Sequence, residues 1–308
     1  MALVEMGAGA DRALSGDGRG RVVAVYRRAA YIQVPGGLFA LTTAAVWRGP
    51  LHLRSPVPPD RLAPGDRVDV VAGSHVRIGS AVVDLAHAAR WRGPLPGAGG
   101  LAAASSGAAA DVFAAAPPPA LAAPLYADRL GVALHRLGRG DVAGVARAIG
   151  GLGPGLTPAG DDTLAGILLV ARALGGEAVE DGLVAVAGAV ATTSVAREFL
   201  DWAARGQSVE PVHDLLTALA DDDRPAAAVH LAALGRLGHT SGADLAYGIR
   251  LGLGLGLGLG LGVGVGTRSA GVGVGPGSEW HSWSLRGPTS GTRSAGAGAL
   301  RVPGVSTA

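Results

Sequence analysis

The sequence predicts an α+β protein: a small antiparallel β domain, then a mostly helical domain, then a low-complexity, disordered tail. Three observations carry this. Between residues 21 and 85 short apolar runs alternate with period two and are broken by turn residues. From residue 126 apolar positions recur at three- and four-residue steps. Beyond Leu251 the chain repeats Leu-Gly to Gly262 and Val-Gly to Gly266, and the hexapeptide Gly-Thr-Arg-Ser-Ala-Gly occurs at Gly266 and again at Gly291.

In chain order, residues 1–19 are read as a flexible N-terminus and 20–93 as the β domain. Its strands are expected at Arg21 to Tyr26, Tyr31 to Val34, Leu38 to Thr42, Leu51 to Leu53, Val68 to Val71 and Val76 to Leu85. Pro35-Gly36-Gly37 and Pro64-Gly65-Asp66 are their turns. His52, His75 and His87 are scattered without ligand spacing and read as ordinary packing or surface histidines. Residues 94–125 collapse to Ala, Gly, Pro and Ser around Pro117-Pro118-Pro119, the composition of a linker. Within 126–251, helices are expected over Tyr126 to Leu137, Val142 to Ile149, Pro158 to Leu174, Gly182 to Ala204, Pro211 to Leu219, Pro225 to Leu237 and Gly242 to Leu251, with Pro158, Pro211 and Pro225 in first turns. Glycine at every second position weakens a strand, so 252–308 is read as disordered and without chemistry; Trp280 and Trp283 are its one candidate sticky patch.

Composition removes whole chemistries. All 26 basic residues are Arg, and there is no Lys, Asn or Cys. Disulfides, thiolate nucleophiles, Schiff bases and a P-loop lysine are therefore excluded. Net charge is +4 over 1–125, −5 over 126–250 and +3 over 251–308. No dense basic face is interleaved with aromatics, which argues against a nucleic-acid partner. No apolar run of signal-peptide or membrane-span length occurs, so a cytoplasmic protein without membrane contact is expected.

Three segments could carry chemistry. The first runs from Gly150 through Gly151, Gly153, Gly155, Thr157 and Pro158 to Asp161-Asp162, at the start of an apolar helix. Thr157 is a suitable N-cap before Pro158, and carboxylates suit the first turn. Glycines alternating upstream suit a backbone that turns tightly or approaches a ligand, and free N–H groups at a helix start suit a phosphate or carboxylate. The Asp161-Asp162 pair is open to three roles: a magnesium handle, which makes Mg2+ the one candidate cofactor, a base, or scaffolding. The second segment, Gly238-His239-Thr240-Ser241-Gly242-Ala243-Asp244, echoes the first, with an Asp two residues after a Gly, then Leu-Ala and Gly-Ile. His239 has only polar or glycine neighbours and is the candidate general acid or base; the alternative is that His239 and Ser241 only cap helices. The third segment is Thr192-Thr193-Ser194 with Arg197. It either faces the same pocket, Arg197 gripping an anion, or bonds back to its own helix while Arg197 pairs with Glu198 or Asp201.

Residues 151–166, Gly-Leu-Gly-Pro-Gly-Leu-Thr-Pro-Ala-Gly-Asp-Asp-Thr-Leu-Ala-Gly, closely resemble the signature of a bacterial family formerly known only as a domain of unknown function, which includes the AllH subunit of oxamate carbamoyltransferase. Residues 238–244 resemble its second block, Thr192 to Leu200 its middle block, and the β region from Gly20 to Trp91 its N-terminal part. Thr163 stands where the family usually has Phe, and the Leu-Gly tract replaces the end of the last helix. The Ser-Thr-Arg-Thr-Arg phosphate motif of better-known transcarbamoylases is absent. The resemblance implies a subunit of a hetero-oligomeric carbamoyltransferase of anaerobic allantoin breakdown, partnered by its other subunits and by a small-molecule ligand. Carbamoyl phosphate or an oxamate-like carboxylate would bind Gly153, Gly155 and Thr157. Asp161, Thr193, Ser194, Thr240 and Ser241 would line the site, with Arg197 neutralising charge. His239 would move a proton while Asp162 and Asp244 orient partners or hold a cation. Two other readings stay open: a non-catalytic scaffold subunit, and a magnesium-dependent phosphate enzyme built on Asp161 and Asp162.

Overall fold

The computed structural model describes residues 4–104 and 108–258, all within a first compact unit spanning Met1–Thr267; a second unit, Arg268–Ala308, and residues 259–308 of the tail predicted from 252 lie outside the described residues, whereas 252–258 are not disordered but continue the last helix, with Leu253 buried. Nine strands form one curled sheet: β1 (Glu5–Gly7), β2 (Gly18–Val25), β3 (Ala29–Val34), β4 (Gly37–Thr42), β5 (His52–Arg54), β6 (Arg67–Val71), β7 (His75–Ile78), β8 (Ala81–Asp84) and β9 (Ala89–Trp91). Their order is β8-β7-β6-β2-β3-β4-β5-β1-β9. Pairing is antiparallel except for β4 with β5 and β1 with β9. A register shift between Val22 and Ala24 bends β2, as a bulge does. Alternation places Val22, Ile32, Phe39, Leu41, Val68, Val70, Val76 and Ile78 inside the curl. The expected strand from Val76 to Leu85 is instead the tight hairpin β7–β8, turned at Gly79 with φ 56°.

Eleven helices are described: α1 (Ala8–Ala13), α2 (Ala98–Ala104), α3 (Ala108–Ala114), α4 (Ala127–Leu137), α5 (Val142–Ile149), α6 (Ala159–Gly175), α7 (Glu180–Gly188), α8 (Ser194–Ala204), α9 (Glu210–Ala220), α10 (Arg224–Leu234) and α11 (Ser241–Gly258). Helix α6 is the centre of their core. Its Leu164, Ile167, Leu168, Leu169 and Val170 are fully buried, each contributing roughly 1.5–3 kcal/mol relative to exposure. The packing of α6 on α11 is the most extensive between any two elements.

Three stretches differ from the sequence expectation. The N-terminal residues form β1 and α1 and bury Met6, Ala10, Ala13 and Leu14 in the sheet's core. Arg12 then bonds Glu198 and Asp201 at 3.1 Å and lies 4.6 Å from the centre of the Trp202 ring. The Ala/Pro/Gly stretch 94–125 forms α2, α3 and two 3-10 turns, with Leu101, Phe113 and Leu121 buried. Alanine has the highest helix propensity, and three large apolar residues suffice to hold such a segment on a core. The single helix expected over Gly182 to Ala204 is two, α7 and α8, parted by 189–193.

The sheet's outer face divides in two. Over β3, β4 and β5 it is covered by the helical part, with Leu38 and Leu51 packing on Ala8, Val195 and Trp202, joined by Tyr31, Leu156 and Phe199. Over β2, β6 and β7 it is bare and polar, carrying exposed Arg21, Arg67 and Arg77.

Candidate functional site

Two helix starts are built alike. In the first, the Gly160 N–H donates to the Leu152 carbonyl at 2.8 Å, and in the second Gly242 donates to Leu237 at 3.0 Å. A Cβ on Gly160 would lie 1.8 Å from the Ile149 carbonyl oxygen, and one on Gly242 1.9 Å from that of Leu234. Asp162 and Asp244 each follow two residues later, and Gly166-Ile167 and Gly248-Ile249 one turn and a half further on. Helices α5–α6 and α10–α11 are therefore two versions of one helix–loop–helix unit. Their long helices cross at the matching glycines: a Cβ on Gly166 would lie 2.5 Å from the Leu245 carbonyl oxygen, and one on Gly248 2.0 Å from that of Thr163. The echo in the sequence thus corresponds to a physical pair.

The first loop is the longer one, and its backbone has left-handed turns at Gly151 (φ 71°), Gly153 (φ 118°) and Gly155 (φ 97°), where a side chain would be strained. Among the described residues, the N–H groups of Gly153, Gly155, Leu156 and Thr157 meet no acceptor. The N-cap of α6 is Pro158, without a side-chain cap, so Thr157 does not cap as expected. Its hydroxyl lies 3.0 Å from that of Ser241 at the start of α11, joining the two units.

Asp161 fastens this loop. It is buried, with Oδ1 accepting the Gly151 N–H at 2.7 Å and Oδ2 accepting the Thr192 hydroxyl. Burial raises its pKa, against those two bonds and the charge of Arg197. Thr193 caps α8, accepting from Ala196 N–H at 3.0 Å, and its hydroxyl donates to the Leu156 carbonyl. Thr192 and Thr193 thus tie the loop to the start of α8, while Thr193 also bonds back to its own helix. Thr192→Val would leave a buried carboxylate oxygen unpaired and is expected to lower unfolding stability by about 1.5–3 kcal/mol, measurable by urea denaturation.

Asp162 differs. The residue is half-buried, but its Oδ2 is out of reach of solvent and has no hydrogen-bond partner among the described residues. Burial pushes its pKa well up; Asp244 and Asp161 add to this, while the Ser241 and Thr157 hydroxyls oppose it. Asp244, its counterpart, is fully buried and accepts the Leu121 N–H at 3.0 Å, and burial raises its pKa too. No backbone N–H serves Asp162 in the way that Leu121 serves Asp244. Tyr31, from the sheet, completes the surroundings. It packs with Leu156, and its pKa is pushed up to about 12 by burial, then by Tyr26 and Asp162. Its hydroxyl has no hydrogen bond among the described residues. Neither Tyr31 nor Leu121 carries a sequence signal, because each comes to the site only through tertiary packing.

The remaining expected residues lie further out. His239, Thr240, Ser194 and Arg197 are exposed. Arg197 donates to the Gly188 carbonyl at 3.1 Å, while Glu198 and Asp201 pair with Arg12 instead. No group of three His, Asp or Glu that could hold a metal occurs among the described residues, and both Asp161 oxygens accept hydrogen bonds. The histidines that are buried do structural work: His52 bonds the Trp47 carbonyl, and His213 accepts the Ser208 N–H at 3.0 Å and bonds the Pro94 carbonyl. The Thr163 hydroxyl is buried and has no partner among the described residues. Thr163→Val is expected to stabilise the protein by about 1 kcal/mol by removing an unpaired polar group at constant shape, read from the urea midpoint.

The geometry defines an α+β protein in which a sheet backs a helical domain with paired, glycine-flanked helix starts. Residues 149–253 of that domain match the family model described as oxamate carbamoyltransferase subunit AllH. No solved structure matches the chain. No helix among the described residues is long and apolar enough to cross a membrane.

Proposed function

We propose that this chain is a carbamoyltransferase subunit that binds a carbamoyl-bearing ligand, carbamoyl phosphate or an oxamate-like molecule, between the 153–157 loop and Asp162. One observation carries this reading: a half-buried Asp162 carboxyl whose Oδ2 is without a hydrogen bond among the described residues, at the start of the helix that follows a loop with four backbone N–H groups without acceptors. A carboxyl group that holds its proton can pair with both edges of a carbamoyl group, donating O–H to C=O and accepting N–H. Loop N–H groups then receive the phosphate or carboxylate oxygens, and in an acyl transfer they would stabilise the charge that develops on the tetrahedral carbon's oxygen. Tyr31 closes the site from the sheet side, and Ser241 and Thr157 hold the Asp162 carboxyl in place.

Isothermal titration of the full chain with carbamoyl phosphate and with oxamate tests this. Wild type is expected to release or absorb heat with both or one of them, and Asp162→Ala to bind at least about tenfold more weakly. Absence of heat with either ligand removes the site from this chain.

A second reading rests on His239. It is exposed, with nothing to orient its ring, so the proton-transfer group would come from another subunit and this chain would be a binding or scaffold subunit. Transferase activity of the purified chain alone would refute that reading.

A further inference from the structure

The bare half of the sheet holds a groove of about 500 Å³ lined by Arg19, Arg21, Gln33, Pro35 and Arg67. The strand register places Arg21 directly opposite Arg67, and Arg19 opposite Asp69. Like charges directly opposed on neighbouring strands repel and cost stability unless an anion lies between them. Among the described residues Asp69 meets two of these arginines: its Oδ1 sits 3.4 Å from both Arg19 and Arg67. Arg21 is exposed, and its guanidinium has no partner among the described residues. Gln33 is fixed as well, its amide donating to the carbonyls of Val34 at 3.1 Å and Gly37 at 3.0 Å. The groove thus carries an excess of guanidinium charge.

We infer that this groove is a second ligand site, separate from the Asp162 loop, which takes the phosphoryl group of a small molecule. The choice of phosphoryl follows from the number of forks. One guanidinium saturates the two oxygens of a carboxylate, whereas three guanidiniums lining one groove match the three acceptor oxygens of a phosphoryl group. The volume falls within the range of small-molecule pockets. The site does not depend on the reading of Asp162.

The test titrates the full chain with inorganic phosphate, followed by phosphorus NMR, at low and near-physiological ionic strength, with acetate as the carboxylate probe. Phosphate is expected to bind and to persist at the higher ionic strength. The double variant Arg21→Gln/Arg67→Gln should bind it about tenfold or more weakly. Acetate should bind more weakly than phosphate. Arg77→Gln, on the same face but outside the groove, should leave phosphate binding unchanged. All these side chains are exposed, and thermal melts of each variant establish that it is folded. The inference is overturned by wild type that does not bind phosphate, by equal binding to the double variant, by an equal loss in Arg77→Gln, or by acetate binding as well as phosphate.

Discussion

Gly248→Ala is expected to destabilise the protein by roughly 3 kcal/mol or more, although alanine is the better helix former. In an isolated helix the change would gain about 1 kcal/mol. Here the added methyl would stand 2.0 Å from the Thr163 carbonyl oxygen and 2.8 Å from its carbonyl carbon. Those are backbone atoms in the second turn of α6, in fully buried Thr163 next to fully buried Leu164, so the helices can accommodate the methyl only by moving apart. Gly166→Ala should act in the same direction from the other side, because its methyl would meet the Leu245 carbonyl oxygen at 2.5 Å. Gly182→Ala is the control: it is an exposed helical glycine with nothing near its Cβ position, and it should be neutral or mildly stabilising. Urea denaturation of the three variants measures this. Equal stability of Gly248→Ala and wild type would mean that the two units do not cross at these glycines.

Asp162→Asn should raise stability at pH 7 and leave ligand binding within a few-fold of wild type, whereas Asp162→Ala loses binding. The sign follows from the direction of the pKa change. The carboxyl titrates near 3.8 in the unfolded chain and well above that in the folded protein. Between those two values the folded state holds the extra proton, so wild-type stability falls as pH rises through the window and is level above it. An uncharged Asn lacks this loss. The difference in melting temperature between Asp162→Asn and wild type is therefore close to zero near pH 4 and grows toward neutral pH. Asp161 and Asp244 have raised pKa values as well, but they are present in both proteins and largely cancel in the difference. Asn also presents one donor and one acceptor to a carbamoyl group, as the protonated carboxyl does. Parallel melting curves across pH would show that Asp162 ionises normally in the fold. Loss of binding in Asp162→Asn would show that the ionised form is the one that binds.

The sequence exposed the elements whose periodicity is strong. Val142 to Ile149 is a helix with those bounds, and Leu38 to Thr42 lies inside β4. It also exposed the site's local parts, since Gly153, Thr157, Asp161, Asp162, Thr193 and Ser241 all lie where three helix starts meet. What it concealed depends on tertiary packing. Ala-rich composition is shared by linkers and by packed helices, and the burial of Leu101 and Phe113 decides between them only once α6, α9 and α10 are in place. Thr192 and Thr193 were legible as poor helix formers, but the break at 189–193 follows from their bonds to Asp161 and Leu156, which are distant in sequence. His239 and Arg197 have the chemistry of site residues without the burial, which local sequence does not report.

A crystal structure of the full chain with oxamate or carbamoyl phosphate bound tests the site itself. The ligand is expected on the 153–157 loop, with its carbamoyl nitrogen within hydrogen-bond distance of the Asp162 carboxyl and its anionic end on the loop N–H groups. A ligand bound elsewhere, or one at the loop with no polar contact to Asp162, would contradict it.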